Sequence, residues 1–317
     1  MALSTTATGE SKRYKIIANP AAGGGAGGRA IASIRQILDG NGLNYQLVTT
    51  QRPLHAAELT AKAVLEEGCE VVVAAGGDGT SNEVLNGLVA CKQAAHHPFA
   101  MGVLGVRRGN DFADAVGIPR DLEEACRVLV NGKCQTIDIG RVSGSFSPHI
   151  RYFGNCVGIG FDAIGTIEAA KLPRLSGFLS YLIAVLKTIF LYYRAPLTRI
   201  EFDGQVLTQP ALLVSIMNGR RLGGGFLMAP HARPDDGKFE LCIAGEMSRR
   251  RMLAMLPHFL RGTQASQKEI KTASAVRITV TALQGSLPAQ TDGEVLCVDG
   301  EHLEIQLLKD GIEIICP

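Results

Sequence analysis

A valine-rich segment that ends in a cluster of glycines limits the folds open to this chain more than any other feature. Residues 70–80 read Glu-Val-Val-Val-Ala-Ala-Gly-Gly-Asp-Gly-Thr. The apolar half predicts a buried strand. The glycines predict a turn in which positive φ angles and missing Cβ atoms let the main chain approach a phosphate. A helix predicted to begin near Ser81 would point its first N–H groups at the same anion.

Predicted strands and helices alternate through the first part of the chain. Helical spacing of apolar residues fills the intervals between the strands. The strands are predicted at 14–20, 45–50, 70–75 and 99–104, and the helices at about 30–39, 54–67 and 82–93. Such alternation is typical of a parallel sheet covered by helices on both faces.

The pattern changes after residue 138. Short β-type segments follow one another, separated by turn pairs such as Asp236-Gly237, Asp299-Gly300 and Asp310-Gly311. Two segments with helical spacing, at about 177–193 and 248–261, interrupt them. We therefore expect a second domain that is mainly antiparallel β-sheet.

Composition excludes several classes of protein. The chain has 317 residues, 46% of them hydrophobic, which suits two domains with cores of their own. Its net charge of +2 argues against a polybasic nucleic-acid-binding protein, so we expect no nucleic-acid partner. The eight cysteines form no C-x-x-C pair and indicate reduced thiols in a cytoplasmic protein. Residues 1–12 lack the features of a signal peptide and are expected to form a disordered head.

A second glycine-rich segment follows the first predicted strand. Gly23, Gly25 and Gly28 fit the G-x-G-x-x-G pattern of dinucleotide-binding proteins. That kind of site also needs an acidic residue at the end of the second strand to bind the ribose, whereas this strand ends in Thr49-Thr50. The G-x-x-x-x-G-K-[ST] sequence of P-loop enzymes does not occur. We interpret residues 21–29 as a flexible loop near phosphate groups.

Four segments of the first half form a recognisable set. They are Asn19-Pro20 before the glycine loop, Thr50, the Gly-Gly-Asp-Gly-Thr turn and Asn110-Asp111-Phe112-Ala113. In this order they resemble the nucleotide site of the diacylglycerol kinase-type lipid kinases, a family that includes the sphingosine kinases and shares its nucleotide-binding fold with the NAD kinases. The resemblance implies that ATP binds to Asn19, Thr50, Gly76, Gly77, Asp78, Gly79, Thr80, Ser81, Asn82, Asn110 and Asp111.

The loop before Asn110 departs from the family. Where the family has a small residue and a threonine, this chain has Arg107 and Arg108. One interpretation is that the guanidinium of Arg108 binds phosphate in place of the hydroxyl. The other is that the nucleotide site is altered.

Two turns of the second half carry the family's remaining chemistry. The segment around Asp236 resembles the turn where the family holds magnesium, with the carboxylate of Asp236 and the carbonyls of Arg233 and Lys238 as the implied oxygen ligands. An Asp-Gly pair also simply forms hairpins. Asp292 heads an Asp-Gly-Glu sequence that matches the family's general base, which accepts the proton of the attacking hydroxyl. A second copy begins at Asp299, and the distance to the C-terminal strands favours Asp292.

The resemblance implies an α/β N-terminal nucleotide-binding domain with a NAD kinase-like parallel sheet, followed by a mainly antiparallel β-sandwich domain. We place the first domain at 13–137, completed by 304–317, and the second at 138–303. The implied activity is ATP- and Mg²⁺-dependent phosphorylation of a lipid alcohol, with diacylglycerol as the leading acceptor. A sphingoid base, phosphatidylglycerol or another lipid alcohol is also compatible. A NAD kinase-like enzyme and a non-catalytic nucleotide- or lipid-binding protein are the alternatives.

The apolar segment 177–193 is expected to dock the second domain on membranes as a peripheral protein. Its apolar area and the basic residues around it suit an anionic surface. The apolar residues are Phe178, Leu179, Tyr181, Leu182, Leu186, Ile189 and Phe190, and the basic ones are Lys171, Arg174, Lys187 and Arg194. A homodimer is a further expectation.

Overall fold

The computed structural model describes residues 12–106, 110–145, 147–172, 178–191 and 193–317. The chain forms two compact units, the first comprising residues up to Ile137 together with Asp310–Pro317, and the second comprising Asp138–Lys309. The predicted head at 1–12 lies outside these residues except for Lys12.

The first unit alternates strands with helices, as predicted. In chain order its elements are β1 (Tyr14–Ala18), α1 (Ala22–Gly40), β2 (Tyr45–Thr49), α2 (His55–Leu65), β3 (Val71–Gly76), α3 (Asp78–Cys91), β4 (Ala100–Gly105), α4 (Asp111–Ala115), α5 (Leu122–Asn131) and the beginning of β5 (Lys133–Gly144).

The sheet of the first unit is parallel, in the order β2-β1-β3-β4. Every residue of β1 and β3 is buried, because helices cover both faces of the sheet. Register places Ala18 beside Thr49 and Ala75, and Gly76 beside Gly105, so the four strands end at one edge. From β1 the chain turns to β2 on one side and then to β3 on the other, and ligands bind at such a switch point in open α/β sheets.

The helices of the first unit differ from the sequence prediction in where two of them begin and in their number. Helix α3 begins at Asp78 rather than near Ser81, so most of the glycine turn is already its first turn. Helix α1 begins at Ala22, with a break at Gly23–Gly25 where φ is positive, so only these three residues of the predicted 21–29 loop leave the helical path. Helices α4 and α5 were not predicted, although Asp121 is a capping residue of α5 that accepts from the N–H groups of Glu123 and Glu124.

The second unit is mainly antiparallel. Its elements are the remainder of β5, then β6 (Ser147–Phe153), β7 (Cys156–Gly160), α6 (Phe161–Ala170), α7 (Phe178–Leu191), β8 (Leu197–Phe202), β9 (Gln205–Met217), β10 (Arg221–Leu222), β11 (Phe226–Leu227), β12 (Phe239–Gly245), α8 (Arg249–Arg261), β13 (Ile270–Ala275), β14 (Arg277–Ala282), β15 (Leu287–Thr291), β16 (Glu294–Gly300) and β17 (His302–Cys316). Strand β17 runs through Asp310-Gly311 and carries the chain back to the first unit, so the pair does not separate two strands as predicted. Asp310 nevertheless has a φ of 52°, the left-handed conformation typical of an Asp-Gly turn.

The strands of this unit form a β-sandwich. Strand β9 belongs to both layers, because its first half pairs with β8 and its second half with β7 and β12. Side chains from the two layers meet in one core that includes Phe153, Ile216, Phe239 and Val280. The predicted fold class is thereby confirmed for both units.

Helices α7 and α8 cover the other face of the β7-β9-β12 layer. Tyr181 and Ile189 of α7 are buried there with Met252 and Phe259 of α8. The expectation that Tyr181 and Ile189 face a membrane is therefore wrong, since the sheet occupies that side of the helix. Within the described ranges, every helix is too short or too polar to cross a bilayer.

Candidate active site

The carboxyl edge of the parallel sheet brings together the segments predicted to bind ATP. Asn19 follows β1, and its side-chain amide donates to the hydroxyl of Thr80 in the first turn of α3 at 3.1 Å. The side-chain oxygen of Asn19 accepts from the N–H of Ala21 at 3.0 Å. Thr50 follows β2 and donates its N–H to the carbonyl of Ala18. Asn19, Thr50 and Thr80 therefore lie around one edge of the sheet.

The two glycines between β3 and α3 have different roles. A Cβ on Gly76 would lie 2.3 Å from the hydroxyl oxygen of Thr80, so Gly76 is required for packing. A Cβ on Gly77 would meet nothing within 4 Å, and its φ of −102° is open to any residue. The predicted positive φ angles are therefore absent from this turn. Space is instead open above Gly77, where α3 begins without a side-chain cap.

The segment Asn110-Asp111-Phe112-Ala113 is hydrogen-bonded to the glycine turn. The carboxylate of Asp78 accepts from the N–H of Phe112 at 3.0 Å. Asn110 caps α4 by accepting from the N–H of Ala113 at 2.8 Å, and Asp111 is buried behind it. These contacts hold the Asn110-Asp111 segment at the start of α3. Arg108, with its neighbour Arg107, lies outside the described residues.

Ser81 and Asn82 lie on the inner side of α3. Both are about 1% exposed, and Asn82 accepts from the side chain of Asn86 at 3.1 Å. Their side chains thus face the interior of the unit, and their contact with ATP stays a prediction. The neighbouring Glu83, which sequence reasoning missed, accepts from the N–H groups of Leu54 and Ala56 at 2.9 Å and so caps α2.

Asp292 occupies the two-residue turn between β15 and β16. Its φ is 45° and that of Gly293 is 83°, the combination that Asp-Gly provides in a tight hairpin. The carboxylate is buried and accepts from three main-chain N–H groups at 2.9–3.0 Å. The donors are Gly154, Asn155 and Cys156, which link β6 to β7. The carboxylate of Asp292 therefore holds the connection between β6 and β7 in place. Asp299, by contrast, is exposed on β16.

A second carboxylate, that of Asp138, lies near the turn around Asp236. Asp138 accepts from the N–H of Gly237 at 2.7 Å. Burial, and to a lesser degree the neighbouring Glu240 and Asp138, raises the pKa of Asp236. Arg233 and Lys238 direct their side chains to Asp235 and Glu240, which leaves their carbonyls as the predicted ligands. In the described part of the chain, no group of three acidic, histidine or cysteine side chains is close enough to hold a metal.

The second unit also contains an apolar cavity that sequence reasoning missed. The cavity has a volume of about 50 Å³ and lies between the sheet and helices α7 and α8. Methionines from several elements line it, namely Met228, Met247, Met252 and Met255. Glycines let α7 approach, since a Cβ on Gly225 would lie 2.3 Å from the ring of Phe178.

Asp162 of α6 lines this cavity. Burial raises its pKa from 3.8 to about 6, although the hydroxyl of Ser215 donates to its carboxylate and opposes the shift. Burial of a carboxyl group in apolar surroundings destabilises the fold, and groups with such shifted pKa values cluster at functional sites. Asp162 is therefore a candidate functional residue.

Comparison with known proteins accounts for nearly the whole chain. Residues 13–142 match the diacylglycerol kinase catalytic domain. Residues 155–307 match the YegS C-terminal NAD kinase beta sandwich-like domain. The order of these two domains along the chain is that of the two compact units.

Individual relatives agree with these matches. A diacylglycerol kinase of Bacillus subtilis is 29% identical over 284 residues, which cover 89% of this chain and 90% of the relative. A crystal structure of a diacylglycerol kinase from Bacillus anthracis has a TM-score of 0.71 at 20% identity and covers 97% of both chains. Yeast NADH kinase in complex with NADH has a TM-score of 0.52 at 12% identity, over 97% of this chain and 84% of the kinase.

These findings define a two-domain kinase fold shared with the NAD kinases. Within it, the chain belongs to the diacylglycerol kinase-type lipid kinase family. Membership of this family indicates an enzyme that transfers a phosphoryl group to an alcohol.

Proposed function

We propose that this protein transfers the γ-phosphoryl group of ATP to the hydroxyl of a membrane lipid, with diacylglycerol as the acceptor and phosphatidic acid as the product. The observation that carries the proposal is the convergence of Asn19, Thr50 and the start of α3 at the carboxyl edge of the parallel sheet. The relatives named diacylglycerol kinase support this choice of acceptor.

ATP phosphates would bind above Gly77. The N–H groups at the start of α3 carry partial positive charge, and the N-cap Gly77 supplies no side chain to satisfy them. Asn19 and Thr80 fix one side of this opening through their mutual hydrogen bond, and Asp78 fixes the other through Phe112. The residues that hold the opening are thus themselves held by hydrogen bonds, which limits the entropy lost when a nucleotide binds.

Magnesium would be held by Asp236 with the carbonyls of Arg233 and Lys238. A carboxylate and main-chain carbonyls are the hard oxygen ligands that this ion prefers. The raised pKa of Asp236 fits a cation, because a positive ion would offset both the burial and the repulsion from Asp138. When bound, the ion would supply positive charge, and Asp236 and Asp138 would keep the turn in place.

Asp292 would accept the proton of the lipid hydroxyl. The oxygen of that hydroxyl would bond to the γ-phosphorus as the bond to the β-phosphate oxygen breaks, leaving ADP. Its Oδ1 accepts the N–H groups of Asn155 and Cys156 and its Oδ2 accepts the N–H of Gly154, so the carboxylate has a fixed orientation in which to meet the hydroxyl. Asp299 is exposed on its strand and lacks this fixed orientation.

The apolar cavity favours a lipid acceptor over the soluble substrate of a NAD kinase-like enzyme. About 50 Å³ is too little for an acyl chain, but methionine side chains are flexible and can rearrange around one. The exposed residues Leu179, Ile183, Phe190 and Leu191 lie along one side of α7 and would rest on the membrane surface.

Incubation of the pure protein with ATP labelled at the γ-phosphate and a panel of lipids tests the proposal. We expect label in phosphatidic acid when diacylglycerol in anionic vesicles is present. Label in another lipid would keep the lipid kinase class and change the acceptor. Label in a soluble dinucleotide would support the NAD kinase-like alternative, and absence of any labelled product would support a non-catalytic protein.

A further inference from the structure

A large groove of the second unit lies outside the segments assigned to ATP, magnesium and the general base. It has a volume of about 600 Å³. Its walls are α6, the segment that leads into β8, the connection between β14 and β15, and the end of β16. Small-molecule sites in proteins commonly have volumes of 300–1,000 Å³, so this groove is large enough for a ligand much larger than a phosphate ion.

The floor of the groove is apolar. Phe161, Ile164 and Ile167 are half-buried and lie three residues apart, so they share one face of α6. Pro196 and Val298 face the same space from other elements, and Val298 is 58% exposed. An unbranched hydrocarbon chain would gain burial against such a surface.

The charged residues of the groove favour an anion. Glu168 is almost fully buried, and its carboxylate accepts from Lys171 at 2.6 Å and from Lys187. Arg194 is exposed and, within the part of the chain that the structure describes, forms no ion pair. The lining itself contains two cations, Lys171 and Arg194, and two carboxylates, Glu168 and Asp299; Lys187 of α7 adds a third positive charge through its bond to Glu168. A guanidinium without a protein partner can bind a phosphate with two parallel hydrogen bonds.

An ion pair links the groove to helix α7. Lys187 lies between Ile183 and Phe190 on that helix, and its ammonium group bonds to Glu168 in the groove. Ile183 and Phe190 are exposed apolar residues of the same helix. The helix that pairs with the groove thus also carries exposed apolar side chains that suit a bilayer surface.

We propose that this groove binds one molecule of an anionic phospholipid, with an acyl chain along the apolar face of α6 and the phosphate on Arg194. This lipid is distinct from the acceptor that is phosphorylated. The proposal does not rest on the kinase activity, because the groove contains none of the residues assigned to that reaction.

Fluorescence provides a direct test, since the chain contains no tryptophan. Val298→Trp places a single indole at the groove. Val206→Trp is the matched control, because Val206 is 57% exposed but lies on β9 outside the groove. Each protein is titrated without nucleotide, using monomeric short-chain phosphatidylglycerol, phosphatidylcholine with the same chains, and inorganic phosphate.

We expect phosphatidylglycerol alone to shift the emission of the Val298→Trp protein to shorter wavelength, with saturation. Adding Arg194→Gln should weaken this binding at least about tenfold, the usual loss for a charge-assisted hydrogen bond. Arg199→Gln removes the same charge from β8 and should leave the affinity unchanged.

Several results would overturn the proposal. If phosphatidylcholine binds as tightly as phosphatidylglycerol, the charge of the lipid does not matter. If inorganic phosphate binds as tightly, the groove is a site for anions and not for a lipid. An equal shift in the Val206→Trp control would show non-specific adsorption. Calorimetric titration of the unmodified protein guards against disturbance by the introduced indole, and absence of binding there would reject the proposal.

Discussion

Asp162→Asn is expected to stabilise the second unit at neutral and alkaline pH. The native pKa of this carboxyl is raised from 3.8 to about 6, chiefly by burial. A group whose pKa is higher in the folded state destabilises the fold as pH rises through the interval between the two values. The cost is therefore small below pH 4, grows between pH 4 and 6, and stays constant above that range.

The size of the effect follows from the two pKa values. A difference of one pH unit corresponds to about 1.4 kcal/mol, so ionised Asp162 costs about 3 kcal/mol at pH 8. At pH 4 the same relation gives about 0.5 kcal/mol. Asparagine removes the charge, keeps the shape, and retains an oxygen for the hydroxyl of Ser215.

Differential scanning calorimetry between pH 4 and 8 measures this directly. A gain of about 3 kcal/mol in a unit of this size corresponds to a rise in Tm of about 6–12 °C at pH 8. Asp299→Asn removes the same charge from an exposed position and should change stability by less than about 0.5 kcal/mol. An equal Tm difference at pH 4 and pH 8 would refute the reasoning, because the effect would then come from packing and not from ionisation.

Three further substitutions test the proposed chemistry. Gly77→Val should fold, since a Cβ there meets nothing within 4 Å, and should raise the Kd for ATP at least about tenfold. Unchanged affinity in calorimetric titration would show that ATP does not bind in the space above Gly77. Asp236→Ala should abolish the rise of Tm with added magnesium, and an unaltered rise would leave the turn a simple hairpin. Asp292→Asn should lower turnover about 10²–10⁴-fold and also lower Tm, because an amide nitrogen would face a main-chain N–H donor; Asp299→Asn should be mild in both assays, and the opposite ranking would move the base to Asp299.

Local patterns predicted most of the first unit. Consecutive apolar residues fixed β1 and β3, because both faces of these strands are buried. The start of α3 was predicted too late, since glycine and aspartate are poor helix formers in isolation and only the packing of Thr80 on Gly76 shows that they belong to the helix. The Asp310-Gly311 pair keeps its local preference, since Asp310 has a φ of 52°, but β17 pairs with other strands both before and after it, so the pair does not separate two strands.

Residues that are neighbours in the sequence were enough to predict the two-part organisation, the family and the segments that meet at the carboxyl edge, because strand alternation and the order of motifs are local features. Which of those residues reach the surface depends on packing between distant segments. The tertiary structure placed Ser81 and Asn82 inside the unit, gave Asp292 three main-chain donors, and put Asp162 beside an apolar cavity. Burial and hydrogen bonding depend on residues far apart in the chain, such as Gly154 and Asp292, whose contact no local pattern records.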